Sequence, residues 1–354
     1  MTKYHIALNN RFDLEQMNRD AQADKSPSHV MWDISQLLKA TVYQPGEEPL
    51  LPLDRIRACI SSRPEHWALA RKLSSILKED DVIFCTGEDI GFAIASLCGD
   101  RLHSPKIVVF IRNINRPRSR LLLKLFQLAD RVDLFLTDNP ALANFLRDYL
   151  GVAPNRVRLF CEQPTDISFF TPGLASANKK RPIIASGGLE KRDYGTLAEA
   201  TRSLDVDVNI CAFSPNATTL SRTFPKAIPA NMSYRYYDWY ELRQLYRDAD
   251  VVAITLFPNN YQAGLSTMFE AMACRRPVII TQTPGIINDI INYGSVIGVN
   301  PGDFVELKAA ILSLINNPKK AETIAQQGYE LVRNHYNHNT YIKALVTTLT
   351  SKYD

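Results

Sequence analysis

Short apolar runs alternate with amphipathic stretches along almost the whole chain. In the first half, Tyr4–Leu8, Ala40–Tyr43, Asp81–Cys85, Lys106–Ile111, Arg131–Leu136 and Asn155–Phe160 have the length and branched content of buried strands. Between them, helical spacing runs over Asp54–Leu77 with a break near Pro64, from the Thr86-Gly87-Glu88-Asp89 turn to Leu97, and over Ala141–Leu150. His29–Leu38 fits a helix or a turn, and the polar residues Arg11–Pro27 predict a loop. The second half repeats the pattern. Strands are expected at Pro182–Ser186, Val206–Ala212, Ser233–Tyr237, Asp250–Leu256 and Val278–Ile280, with a further apolar run at Ser295–Val299. Helices are expected at Thr196–Ser203, Glu241–Arg247, Ser266–Cys274, Phe304–Asn316, Lys319–Tyr336 and Thr340–Leu349. Strands alternating with helices at this spacing imply an α/β protein built on parallel sheets. The small, polar run Gly173–Lys180 reads as a linker between two domains.

Composition changes this picture little. The chain has 354 residues, 45% hydrophobic and 22% charged, an ordinary globular profile with room for two domains. A net charge of +4 is too mild to suggest a nucleic-acid protein, but it leaves room for an anionic substrate or a membrane surface. The 6 cysteines are scattered without a CxxC pair, as expected of free thiols in a reducing cytoplasm. The 6 histidines show no paired ligand spacing, so no metal site is expected. No apolar run is long enough for a signal peptide or a membrane span.

The candidate chemistry centres on Tyr261–Pro277, which reads YQAGLSTMFEAMACRRP between two strands. Gly264 lets backbone approach a ligand, and Ser266 or Thr267 is placed to cap the helix that follows. Free N–H groups at a helix start form a site for phosphate. Glu270, about one turn on, can face the same mouth and accept hydrogen bonds from a pair of sugar hydroxyls; as a bland alternative it is a solvated carboxylate beside an ordinary turn. A second glycine turn, Gly187-Gly188, follows the strand Pro182–Ser186 and leads to Lys191 and Arg192. Positive charge there suits a departing diphosphate. In the first half, Glu88 and Asp89 follow a strand, where open α/β sheets bind ligands, so either can orient an acceptor hydroxyl or simply favour the helix start. The basic amphipathic stretch Arg116–Phe126 is an ordinary packed helix or a lipid contact.

The phrase AGLSTMFEAMACRRPVI resembles the nucleotide-sugar segment of retaining GT-B glycosyltransferases of the family-4-like group, also called glycosyl transferases group 1. The resemblance extends to the Asp-Phe-Pro phrase in Thr165–Pro172. It implies two Rossmann-like domains facing across a cleft. Residues 1–172 would form the acceptor domain and 181–335 the nucleotide-sugar domain, with 336–354 a last helix returning to the first. It assigns the donor ribose to Glu270 and the donor diphosphate to Gly264, Leu265, Ser266 and Thr267, with Gln262, Ala263, Gly187 and Gly188 in the same site. It gives Lys191 and Arg192 the part of the family's basic pair. Where the family has an acceptor-side histidine, Arg112 is nearest, and Asp89 is the candidate to orient the acceptor hydroxyl. It also differs: an earlier Glu of the motif is Gln262, the usual Gly is Arg275, and the first basic position is Gly188.

The implied function is metal-independent, retaining transfer of a sugar from a nucleotide-diphosphate sugar to an acceptor hydroxyl, with a UDP-sugar as default donor and no other cofactor. The acceptor would be a glycan, lipid or small molecule. The expected location is cytoplasmic, with peripheral contact to the membrane's inner face as an option. The alternative is a weak or inactive GT-B protein that binds a nucleotide sugar or serves as a scaffold, motivated by Gln262 and the absent histidine. An epimerase or phosphorylase of similar architecture fits the chain less well.

Overall fold

A computed structural model describes the chain except residues 1, 100–103, 113, 115–122, 124–126, 214–221, 261, 285–289, 292 and 354. The stretch Arg116–Phe126, singled out above for lipid contact, thus lies almost wholly outside the described residues. The chain divides into two compact units. The first comprises 1–16, 29–162 and 342–354, and the second 17–28 and 163–341.

The first unit holds strands β1 (Lys3–Ala7), β2 (Thr41–Tyr43), β3 (Asp81–Cys85), β4 (Lys106–Phe110), β5 (Leu134–Thr137) and β6 (Val157–Leu159). They form one parallel sheet in the order β2-β1-β3-β4-β5-β6. β3 is buried along its entire length and β4 beyond its first residue, as strands covered on both faces must be. The order reverses between β1 and β3, which opens a crevice at their carboxyl ends.

The helices of this unit follow local chemistry. α1 (Leu14–Gln22), whose residues pass to the second unit from Met17 onward, occupies the stretch expected to be a loop. Asp13 receives the N–H of Gln16 at 2.9 Å, which starts the helix, yet Leu14 is its one buried side chain. Most of its residues are polar, and the loop expectation rested on that polarity. α2 (Val30–Leu37) resolves the open choice at 29–38. The expected helix at 54–77 is two helices, α3 (Pro52–Ala58) and α4 (Pro64–Ile76), each with a proline at its first turn. α5 (Glu88–Cys98) packs so closely on β4 that a Cβ at Gly91 would lie 2.4 Å from a Val109 methyl. The helix expected over 141–150 divides into α6 (Pro140–Asn144) and a π-helical turn at Phe145–Tyr149.

The second unit holds β7 (Ile183–Gly187), β8 (Asp207–Cys211), β9 (Met232–Arg235), β10 (Val251–Ile254), β11 (Val278–Thr281) and β12 (Ile297–Val299). Its sheet is also parallel, in the order β12-β11-β10-β7-β8-β9. This is the doubly wound Rossmann order, with its switch point between β7 and β10. The covering helices are α7 (Tyr194–Thr201), α8 (Trp239–Asp248), α9 (Leu265–Ala273), α10 (Phe304–Ile315) and α11 (Pro318–Asn334). One core layer gathers Phe169, Phe170, Tyr246, Phe269 and Met272, and the other Tyr194, Leu197, Val208 and Ile311. Phe169 and Phe170, upstream of the linker-like run, are therefore core residues of this unit. The last helix, α12 (His338–Tyr353), counts with the first unit from Ile342 onward. There its end is tied by Thr2 Oγ1, which donates to the Tyr353 carbonyl, and by Lys352, which donates to the Asn155 carbonyl.

Asp54 anchors α3 from inside. It is fully buried and accepts the Leu51 N–H at 2.9 Å and the Arg71 guanidinium at 3.1 Å. Asp54→Ala loses a cap and strands half of an ion pair, so chemical denaturation should show a loss of about 2 kcal/mol. A change below about 0.5 kcal/mol would contradict this anchoring role.

Candidate active site

The carboxyl ends of β7 and β10 carry the two glycine turns singled out in the sequence. After β7, Gly188 takes φ +86°, and its carbonyl accepts the buried Tyr194 hydroxyl at 2.6 Å. Lys191 takes φ +55° and its carbonyl accepts the Phe257 N–H at 2.8 Å. Arg192 follows with its side chain folded inward, 3% exposed. Its guanidinium donates to the carbonyls of Gly187 at 2.7 Å and Glu190 at 2.9 Å and to Thr267 Oγ1 at 3.2 Å. All three acceptors are neutral. A Cβ at Gly188 would lie 2.8 Å from this guanidinium. Arg192 therefore fills the space next to the position where the resembling family has its first basic residue.

The turn before α9 is set by Gly264, at φ +89°. A Cβ there would lie 2.9 Å from an Ile254 methyl and 3.6 Å from the Arg192 guanidinium, so both conformation and space demand glycine. The expected cap by Ser266 or Thr267 is not formed. Gly264 itself holds the N-cap position, and no side chain caps the helix. Ser266 and Thr267 lie in the first turn instead, Ser266 exposed and Thr267 buried. The Thr267 hydroxyl is occupied with Arg192 and with the Gly187 carbonyl at 3.4 Å. The helix begins its own bonding at the Met268 N–H, which reaches the Gly264 carbonyl at 3.0 Å. The preceding N–H groups point out of the helix end, where the dipole adds about half a positive charge. Leu265 and Ala263 are buried and Gln262 half-buried alongside.

Glu270 lies one turn further on and accepts the Tyr246 hydroxyl at 2.8 Å. It keeps partial access to solvent but is crowded by protein. Burial pushes its carboxyl up to about 7, against the opposing pull of the Tyr246 hydroxyl and the Arg192 charge. The second unit thus brings Gly187, Gly188, Arg192, Gly264, Thr267 and Glu270 together around one switch point. Beyond β8, the Phe213 ring meets Tyr236 edge-on at 5.2 Å, both exposed; Ser214 and Pro215, which follow in the sequence, lie outside the described residues.

Asp89 and Arg112 belong to the first unit, at its own switch point. Asp89 is in the first turn of α5, and its carbonyl accepts the Ser62 hydroxyl at 2.9 Å. Arg112 is exposed, its guanidinium 5.2 Å from the Phe110 ring centre. The carboxylate in contact with Arg112 is that of Glu88, which accepts its N–H at 3.2 Å and is pushed up by burial. Sequence reasoning missed the partner of this cluster, His66. It is fully buried, with Nδ1 2.6 Å from the Ser62 hydroxyl and Nε2 2.9 Å from the Asn9 carbonyl. Burial pulls its pKa down. Arg63 donates to the Asn9 carbonyl at 2.6 Å and to Asn10 Oδ1 at 2.9 Å, and the Asn9 N–H reaches Thr86 Oγ1 at 2.9 Å. The Asn9-Asn10 pair after β1 was the available signal; His66, inside a helix without a motif, gave none.

Residues 197–317 match the family model described as glycosyl transferases group 1. The capsular polysaccharide biosynthesis glycosyltransferase CapM of Staphylococcus aureus is 29% identical over 101 residues, 25% of this chain and 27% of that protein. The matched segment thus spans about a quarter of that relative. Among solved structures, sucrose-phosphate synthase of Thermosynechococcus elongatus aligns with a TM-score of 0.73 at 14% identity, covering 99% of both chains. HepE of Anabaena in complex with UDP aligns at 0.68 and 15%, covering 99% of this chain and 100% of that one. The trehalose-6-phosphate synthase OtsA aligns at 0.71 and 14%, covering 98% and 99%. The chain therefore has the GT-B fold, and residues 197–317 of its second unit match the glycosyl transferases group 1 model.

Proposed function

We propose that the protein is a retaining glycosyltransferase that moves a sugar from a UDP-sugar to an acceptor hydroxyl. The observation that carries this reading is the buried Arg192 guanidinium beside the uncapped start of α9, bonded only to neutral oxygens. Glu270, the carboxylate that feels this charge, is itself pushed toward its neutral form, so an anionic ligand would offset the cost of burying the cation. A diphosphate at this corner would meet that charge and the first-turn N–H groups of α9 together. In support, HepE has been solved with UDP-glucose, and trehalose-6-phosphate synthase has been studied for transfer with retention.

In this reading the bond from the sugar's anomeric carbon to the diphosphate oxygen breaks, and its electron pair leaves with UDP. Arg192, with Lys191 beside it, stabilises that charge electrostatically, without a metal. The acceptor oxygen bonds to the anomeric carbon on the face UDP leaves, and its proton passes to the departing phosphate. Glu270 holds the ribose hydroxyls, and Gln262 and Ala263 flank the donor sugar. In the first unit, Asp89 and Arg112 orient the acceptor. We place the reaction in the cytoplasm. No helix among the described residues is long and apolar enough to cross a membrane.

Two outcomes follow. UDP-glucose carries no group that titrates near neutrality, so the pH dependence of its binding reports on the protein. A carboxylate accepts from both ribose hydroxyls and a protonated acid from only one, so affinity should rise several-fold as pH rises through about 7. In Glu270→Gln calorimetry should find weaker, pH-independent binding; an unchanged pH profile would remove Glu270 from the ribose site. The unliganded protein behaves in the opposite sense. The folded pKa is raised from 4.5 to about 7, so this stabilising contribution is present in full below 4.5 and is lost as pH rises through 7.

Arg192→Gln should lower kcat for transfer or donor hydrolysis by about a hundredfold or more across a panel of nucleotide sugars. Wild-type turnover unaffected by the substitution would contradict the reading. Tight UDP binding by the wild type with no turnover on any donor would favour the scaffold alternative instead.

A further inference from the structure

The segment from Leu51 to Ile60 turns its polarity inside out. α3 buries its acid, Asp54, completely and lays Ala58 against the core. Its large apolar side chains go the other way: Leu51 is 43% exposed, Leu53 51%, Ile56 61% and Ile60 49%. Leu53, Ile56 and Ile60 follow one another at helical spacing, Ile60 in the turn that prolongs the helix through its bond to the Arg57 carbonyl at 3.0 Å. Core-facing helices present such a stripe inward. Here the buried Asp54, paired with the half-buried Arg71, fixes the helix with the stripe facing out.

Basic side chains flank the stripe. Arg55 is exposed and makes no ion pair among the described residues, and Arg57 lies over the Trp67 ring at 5.6 Å. Of the neighbouring acids, Asp54 is held by Arg71, Glu48 by Lys72 at 2.5 Å, and Glu47 receives the Gln44 amide at 3.0 Å. The patch is therefore apolar with a positive rim. That combination suits a surface with apolar depth and anionic headgroups. A second copy suits it less, because two-fold pairing would set arginine against arginine.

We propose that Leu51–Ile60 is a membrane-contact surface, its aliphatic stripe seated among the acyl chains of an anionic bilayer and Arg55 and Arg57 on the phosphates. This inference is independent of the sugar-transfer reading. It also lies apart from Arg116–Phe126, the stretch that sequence alone had offered for lipid contact.

Vesicle flotation of the full chain tests it. The wild type should float with phosphatidylglycerol–phosphatidylcholine vesicles, less so at high salt, and weakly with phosphatidylcholine alone. The double variant Leu53→Ser, Ile56→Ser should bind anionic vesicles at least tenfold more weakly, and Arg55→Gln, Arg57→Gln should lose the preference for anionic over neutral lipid. All four positions face out or sit at the rim, and thermal melts would register any loss of folding. No vesicle binding by the wild type overturns the proposal. So does full binding by the serine variant, including the case where Arg118→Gln, Arg120→Gln abolishes it. A dimer by light scattering that Ile56→Ser dissociates, without lipid binding, would assign the patch to a second copy.

Discussion

One buried guanidinium organises the second unit's switch point. Arg192 ties the end of β7, through Gly187, to the start of α9, through Thr267. It does so with neutral acceptors, which satisfy its hydrogen-bonding geometry without neutralising its charge. The glycines on both sides are the consequence. Gly188 leaves the volume the guanidinium occupies, and Gly264 turns the chain into α9 at a conformation and distance that exclude a side chain. The resulting corner is positive from two sources, the guanidinium and the helix start. Glu270 lies one turn along. Its raised pKa and its bond to Tyr246 belong to the same crowded environment.

Much of this was legible in the sequence, for physical reasons. Buried parallel strands such as β3 and β10 are continuous apolar runs, which no other element of this length resembles. The turn at Gly264 was legible because glycine between a strand and a helix has few other uses. The misses have equally definite causes. α1 escaped because most of its residues are polar, and polarity alone was read as a loop. The capping of α9 was misassigned because Ser266 and Thr267 are good cap residues by type, whereas the cap position is fixed by the backbone turn at Gly264. His66 escaped because Ser62 and Arg63, although close in sequence, form no motif with it, and Asn9 reaches it only when the turn after β1 meets the start of α4.

The two units illustrate one rule at different levels of definition. Each sheet reverses its strand order once, and polar groups gather at the carboxyl ends beside that reversal. In the second unit the groups form a positively charged corner. In the first they form a polar lattice of His66, Arg63, Asn9 and Asn10, with Glu88 on the Arg112 backbone, rich in donors and acceptors for a hydroxylated ligand. The exposed aliphatic stripe of α3 lies on the same unit. The first unit thus carries both a polar crevice and an apolar surface, and the second unit carries the charge.

The most direct test of the central claim is a crystal structure with UDP bound. The diphosphate oxygens should lie within hydrogen-bonding distance of the Arg192 guanidinium and of the first-turn N–H groups of α9, with the ribose on Glu270. UDP bound elsewhere, with this corner closed by protein side chains, would contradict it.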